Sequence, residues 1–191
     1  MEQLKIFARD KKNYLDPYEL EKLMQCPENI RVIDARDDDR VGGNVTGSIH
    51  VPDKIRPSER EIILWKVLIG ATEYLTNNPS VSEYNIVTHC MESLRRGPRV
   101  AMLMKKMLKD TGDVGMNQRI RIRVLFGGAD TWIRKHYRNS KLVENFDDEY
   151  WWFEQTLGSN KPDLVTSVSR STPFPPFPPF HVSEYEICIK G

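Results

Sequence analysis

The sequence predicts an α/β fold in which a central, mostly parallel sheet is flanked by helices. Two observations carry that expectation. Short apolar runs at 31–36, 48–52, 84–88 and 120–126 alternate with longer stretches of helical period, and strands separated by helices join in parallel and are covered on both faces. A cysteine, Cys90, also stands directly after one of these runs, and ligands of open parallel sheets bind at the carboxyl ends of strands.

The elements follow in order. Tyr14-Leu15 reads as a short edge strand, and Asp16-Pro17-Tyr18-Glu19 supplies an N-cap, a first-turn proline and a capping-box acid for a helix to about Met24. Cys26-Pro27 ends it. Arg31–Arg36 is a strand leaving into the charged turn Asp37-Asp38-Asp39-Arg40, and Ser48–Pro52 is a short strand stopped by proline. Ser58 and Glu61 read as a capping box for a helix to about Leu75, with Ile62, Trp65, Leu68, Ile69 and Thr72 on one side. Tyr84–Thr88 is the strand before the cysteine. Pro98 sits in a first helical turn, and Val100, Leu103, Met104, Met107 and Leu108 form that helix's apolar stripe until Thr111-Gly112. Ile120, Ile122 and Val124 alternate with Arg119, Arg121 and Arg123, and a last short helix spans 129–137.

The organising stretch is His89-Cys90-Met91-Glu92-Ser93-Leu94-Arg95-Arg96-Gly97-Pro98. It places a thiol at one end of a tight loop and a permanent cation at the other, against a helix N-terminus. Backbone N–H groups and the helix dipole point into such a loop and hold a tetrahedral oxyanion. The same surroundings favour thiolate over thiol. Cysteine-nucleophile chemistry on phosphate or a similar anion follows.

The rest of the chain narrows the classes. It has 191 residues and a formal charge of +1, which offers no basic surplus for nucleic acid or a membrane surface. The start, Met1-Glu2-Gln3-Leu4-Lys5, lacks a secretory apolar stretch, and the run 62–71 is broken by Lys66 and too short to span a bilayer. A cytoplasmic, and also nuclear, protein is expected. The three cysteines (Cys26, Cys90, Cys188) form neither a paired framework nor a metal spacing, so no metal is expected. Cys26 and Cys188 read as unreactive thiols and His50 as a hydrogen-bonding residue. No feature specifies an oligomeric state.

Asp34-Ala35-Arg36, Gly43-(three)-Gly47-Ser48-Ile49-His50-Val51-Pro52, the Cys90-(five)-Arg96-Gly97-Pro98 loop and Leu125-(one)-Gly127-Gly128-(three)-Trp132 occur in one order. That order resembles the rhodanese superfamily, in the branch of the M-phase inducer phosphatases and the small fungal phosphatases and arsenate reductases. The resemblance implies a rhodanese-like three-layer fold over 13–153. Residues 1–12 are then an N-terminal extension, and 154–191 a Pro/Phe-rich appendage expected to be poorly ordered. Sulfur-transferring rhodaneses usually have a loop one residue shorter, so this longer loop favours a tetrahedral anion.

The resemblance implies a cysteine-dependent phosphatase. Cys90 is the nucleophile, Arg96 clamps the oxyanion, and the N–H groups of Met91, Glu92, Ser93, Leu94, Arg95 and Arg96 complete the cradle. Asp34, Arg36, His89 and Gly97 support it. The inducer enzymes carry glutamates at the loop positions of Met91 and Arg95, which leaves Glu92 as the loop's one candidate acid. They also carry a cysteine where this chain has Ala35, so an internal disulfide with the nucleophile is not expected. No cofactor is implied for a phosphatase acting on a phosphorylated protein. The alternative is an arsenate reductase using glutathione and glutaredoxin as co-substrates on a small oxyanion. A reading of another class is a non-catalytic phosphoprotein-binding module.

Overall fold

Strands β2 (Ile30–Asp34), β5 (Tyr84–His89) and β6 (Ile120–Leu125) form the middle of the sheet in the computed structural model, which describes residues 2–151. β1 (Tyr14–Leu15) and β4 (Ile49–His50) flank them in the order β1-β6-β5-β2-β4, with every pair parallel. β5 is buried along its whole length, as expected of a central parallel strand covered on both faces. On β6 the alternation is visible instead: Ile120, Ile122 and Val124 point inward, Arg121 is exposed and Arg123 is half-buried. These arginines pair locally, Arg121 with Glu83 and Arg123 with Asn85 Oδ1 (2.7 Å), and Arg119 donates to the Val81 carbonyl (2.7 Å).

The helices divide between the two faces. α3 (Pro57–Asn77) and α4 (Arg96–Asp110) cover one around Leu64, Leu68, Val100, Met104 and Ile86; α2 (Pro17–Leu23) and α6 (Gly128–His136) cover the other around Leu20, Trp132, Ile133 and Val87. Each fully buried side chain of this size contributes roughly 1.5–3 kcal/mol, so both faces are needed to hold the central strands. The expected three-layer α/β arrangement is the one observed. α1 (Glu2–Arg9) joins the first face: Phe7 packs against that cluster, and Lys105 Nζ lies 5.0 Å above its ring. A short helix α5 (Val114–Arg119) precedes β6, and β3 (Asn44–Val45) pairs antiparallel with β7 (Val143–Glu144) beside the main sheet. Trp151 closes this edge, donating from Nε1 to the Gly42 carbonyl at 2.7 Å.

The Asp16 capping box of α2 forms as expected, with Tyr18 N–H on the Asp16 carboxylate at 2.7 Å. Two expectations for α3 need correction. The helix starts with Pro57 in its first turn and Arg56 before it, so Ser58 and Glu61 do not form a capping box. Its buried face is Leu64, Val67, Leu68, Ala71 and Leu75, while Ile62, Trp65 and Ile69 are exposed. Apolar residues occur nearly all round this helix, so periodicity alone could not choose the face that packs. The expectations for Cys188 and residues 154–191 lie outside the described residues. Among the described residues no helix is long and apolar enough to cross a membrane, and no group of three or more His, Cys, Asp or Glu could hold a metal ion.

Candidate functional site

Cys90 leaves the carboxyl end of β5, where strand backbone turns into the loop 90–95 that leads to α4. The loop is held from three sides. Ala35 N–H donates to the His89 carbonyl (2.8 Å), tying it to the end of β2. Thr88 Oγ1 donates to the Gly97 carbonyl (2.9 Å), tying it to α4. From α6, Ala129 N–H donates to the Cys90 carbonyl (2.9 Å) and Asp130 N–H to the Met91 carbonyl (3.0 Å). Two glycines make these approaches fit. A Cβ on Gly97 would stand 3.0 Å from His89 Cα, and one on Gly128 (φ +62°) would overlap the carbonyls of Cys90 and Met91.

Carbonyls gripped from outside leave the amides on the other side. Among the described residues, none of the N–H groups of Met91 to Arg95 has a hydrogen-bond partner within the protein. Unpaired main-chain donors are unusual inside folds, and a run of them in one loop, beside a helix N-terminus, is the arrangement that binds an anion. Ser93 turns the loop through the left-handed region (φ 57°). Its side chain is 2% exposed and its Oγ has no partner. Cys90 is 4% exposed. Glu92, Leu94 and Arg95 project outward. Glu92 is therefore in contact with solvent.

Behind the loop lies a buried charged network. Arg36 and Asp34 are both fully enclosed and joined by Nε and Nη2, the closest contact being 2.7 Å. Nη2 also reaches the Gly43 carbonyl and Asn44 Oδ1, each at 2.9 Å, so the pair fastens segment 41–44 to the sheet. Burial opposes ionisation of Asp34, but neighbouring positive charge, with Arg36 donating directly, holds its carboxyl well below the usual carboxylate range. His89 is completely enclosed, and burial holds its pKa below the ordinary value against the pull of Asp34. Arg36 and Arg40, whose Nε is 3.1 Å from Asp34 Oδ2, are the arginines paired with the Asp34 carboxylate. His89 Nδ1 is 3.3 Å from the Cys90 carbonyl, so the ring braces the loop from behind. His50 Nε2 is 2.8 Å from the Arg36 carbonyl, a hydrogen-bonding place as expected.

Arg96 begins α4, and its hydrogen bonds to Asp39 and Asp37 raise its pKa against the effect of burial. Asp37 Oδ2 lies 3.1 Å from Nη1, Asp39 Oδ1 2.6 Å from Nη1, and Asp39 Oδ2 on Nη2. Sequence reasoning missed these two carboxylates and took Asp37-Asp38-Asp39 only as a charged turn. Their position after Asp34 and Arg36 was the available signal. It also missed Tyr14 of β1, whose pKa is raised by burial and by the charge of Cys90.

The chain is similar to known proteins in sequence and in fold. No protein-family model matches it. It is 28% identical over 152 residues to the CDC25-like phosphatase YCH1 of Saccharomyces cerevisiae, covering 72% of this chain and 93% of that protein. Among solved structures, a yeast protein tyrosine phosphatase of the rhodanese family superposes with a TM-score of 0.61 at 27% identity, covering 72% of this chain and 95% of the other. The As-Sb reductase of Leishmania major superposes with a TM-score of 0.55 at 24% identity, over 76% and 97% of the two chains, and shares the fold.

Proposed function

We infer that this chain, a phosphatase-like member of the rhodanese superfamily, is a cysteine-dependent phosphatase that hydrolyses phosphate esters through a cysteinyl-phosphate intermediate. The observation that carries the reading is the run of unpartnered amides from Met91 to Arg95 between Cys90 and Arg96. Cys90 Sγ, as thiolate, attacks phosphorus in line with the ester oxygen. The loop amides and the Arg96 fork take the equatorial oxygens, and they act most strongly on the charge that develops in the transition state. Asp34, Arg36, His89 and Gly97 hold the cradle in shape and touch no substrate. The relatives named as phosphatases support the reading. A phosphorylated protein, most simply one carrying an aryl phosphate, is the proposed substrate class, in the cytoplasm and nucleus. No cofactor takes part.

A second reading, arsenate reduction with glutathione and glutaredoxin, uses the same cradle. It draws on the solvent-facing place of Glu92, because arsenate has no alkoxide that needs a proton. Both are tested together. Purified protein is expected to hydrolyse p-nitrophenyl phosphate, with the turnover abolished by Cys90→Ser. Arsenate with glutathione and glutaredoxin is expected to give no Cys90-dependent arsenite. The reverse pattern selects the reductase, and no Cys90-dependent reaction on either substrate leaves the non-catalytic binding module.

A further inference from the structure

Phosphate-ester hydrolysis needs a proton for the departing oxygen, and the loop offers one carboxylate, that of Glu92. Met91 and Arg95 flank the loop's ends, and Glu92 faces solvent without a partner among the described residues. The carboxylates that contact the Arg96 guanidinium come instead from the turn after β2. Asp39 meets the Arg96 fork with both oxygens, Oδ1 on Nη1 (2.6 Å) and Oδ2 on Nη2. This two-point contact is the one that two phosphate oxygens would make with the same fork.

We propose that Asp39 is the proton donor of the reaction, freed for that role when the substrate takes Arg96 from it, and that Asp37 is a positioning residue. The inference rests on the phosphatase reading above. The turn is anchored independently of Arg96. Asp37 N–H donates to Asp39 Oδ1 (2.9 Å), and Asp37 Oδ1 accepts from Lys54 N–H (2.8 Å). When a phosphate draws the guanidinium away, Asp39 keeps Oδ1 on Asp37 N–H, and Oδ2 remains at the mouth without its cation. The Asp39 side chain is 36% exposed and so exchanges protons with water.

The change in charge runs in the required direction. In the free protein the Arg96 hydrogen bond holds Asp39 below the usual carboxylate range. The charged groups facing Asp39 are Arg96 from α4, Asp37 from its own turn and Lys54 from the segment after β4. Moving Arg96 onto a dianion removes the dominant cation and brings negative charge close, and both changes favour the protonated acid. In the first step the S–P bond forms and the P–O ester bond breaks. The electron pair leaves on the ester oxygen, which takes the proton from Asp39 Oδ2. In the second step water attacks phosphorus, gives its proton to the Asp39 carboxylate, and sulfur leaves with the S–P electron pair as thiolate. The net change is ester plus water to alcohol plus phosphate.

The test compares phenyl phosphate, a poor leaving group, with p-nitrophenyl phosphate, a good one. Asp39→Asn is expected to lower kcat/KM on phenyl phosphate by about 100-fold or more and on p-nitrophenyl phosphate by less than about five-fold. The alkaline limb of the kcat profile should disappear, and Asp39→Glu should restore part of the phenyl phosphate turnover. Asparagine keeps an acceptor for Asp37 N–H, and circular dichroism and melting are expected to be unchanged, which checks that the variant folds. Asp37→Asn provides a second variant, expected to lower both substrates by similar factors with the pH profile retained. Equal loss on both substrates with Asp39→Asn, or no loss on either, overturns the assignment while Cys90-dependent hydrolysis by the wild type upholds the phosphatase reading. Wild-type protein that hydrolyses neither ester overturns both.

Discussion

Gly128 meets the carbonyl of Met91 so closely that no side chain fits between helix α6 and the loop. Its backbone is left-handed (φ +62°), a conformation that other residues adopt only at a cost. Gly128 is thus the contact that aims the loop carbonyls at α6 and the loop amides inward. Gly127 next to it is also left-handed (φ +70°), but a Cβ there would meet only the Thr131 side chain.

The two glycines should therefore differ on substitution. Gly128→Ala is expected to cost more than about 2 kcal/mol in urea unfolding, since strain and a backbone clash act together, and to lower kcat/KM on an aryl phosphate at least ~10-fold. Gly127→Ala should cost at least roughly 1–2 kcal/mol from strain, with a further cost because the new Cβ would stand 2.7 Å from Thr131 Cβ, which no rotamer change moves. It should keep most activity, because that clash does not touch the loop. Equal activity losses would show that the α6 contact does not shape the loop.

Arg36 and Asp34 lie behind the loop with no access to solvent. Removing only the cation leaves a buried carboxylate with Arg40 Nε, at 3.1 Å, as its remaining cationic partner among the described residues. Arg36→Met is expected to destabilise by about 3–5 kcal/mol. The double variant Asp34→Leu with Arg36→Met should recover part of that loss, because no uncompensated charge remains. Chemical denaturation of the two variants measures the difference, and a double variant less stable than Arg36→Met would refute it.

Stability should fall as the solution is acidified from pH 7.5 to 5.5. Burial lowers the pKa of His89 and His136 below the ordinary value. Below pH ~6.5 the unfolded chain therefore binds protons that the fold does not. The contribution is fully present above that pH and is lost as pH drops through the folded values, with a slope of up to roughly 1.4 kcal/mol per unit for each histidine. Asp34 acts in the same sense further down, its contribution present above pH ~3.9 and lost as pH falls through its depressed folded value. Urea midpoints at the two pH values measure the histidine effect, and His136→Gln should reduce it by about half. Identical wild-type midpoints would refute it.

Much of this was legible in the chain because it depends on local rules. Asp16-Pro17 starts α2, the alternation of Ile120, Ile122 and Val124 defines β6, and Pro98 marks the beginning of α4. The small β3–β7 sheet was not legible, since two-residue strands leave no periodic trace and pair across nearly a hundred positions. The packed face of α3 was not legible either, because Ile62, Trp65 and Ile69 are as apolar as the residues that are buried.

The sequence by itself determined the nucleophile, the cation and the length of loop between them, for Cys90, five residues and Arg96 are a covalent spacing. Strand, turn and helix propensities around that spacing were enough to imply an anion cradle. Only the tertiary structure decided what faces it. Asp39 reaches Arg96 across 57 positions of sequence, and Ala129 and Asp130 reach the loop carbonyls from another helix. Such contacts depend on how the strands register and the helices dock, and no local propensity encodes that geometry.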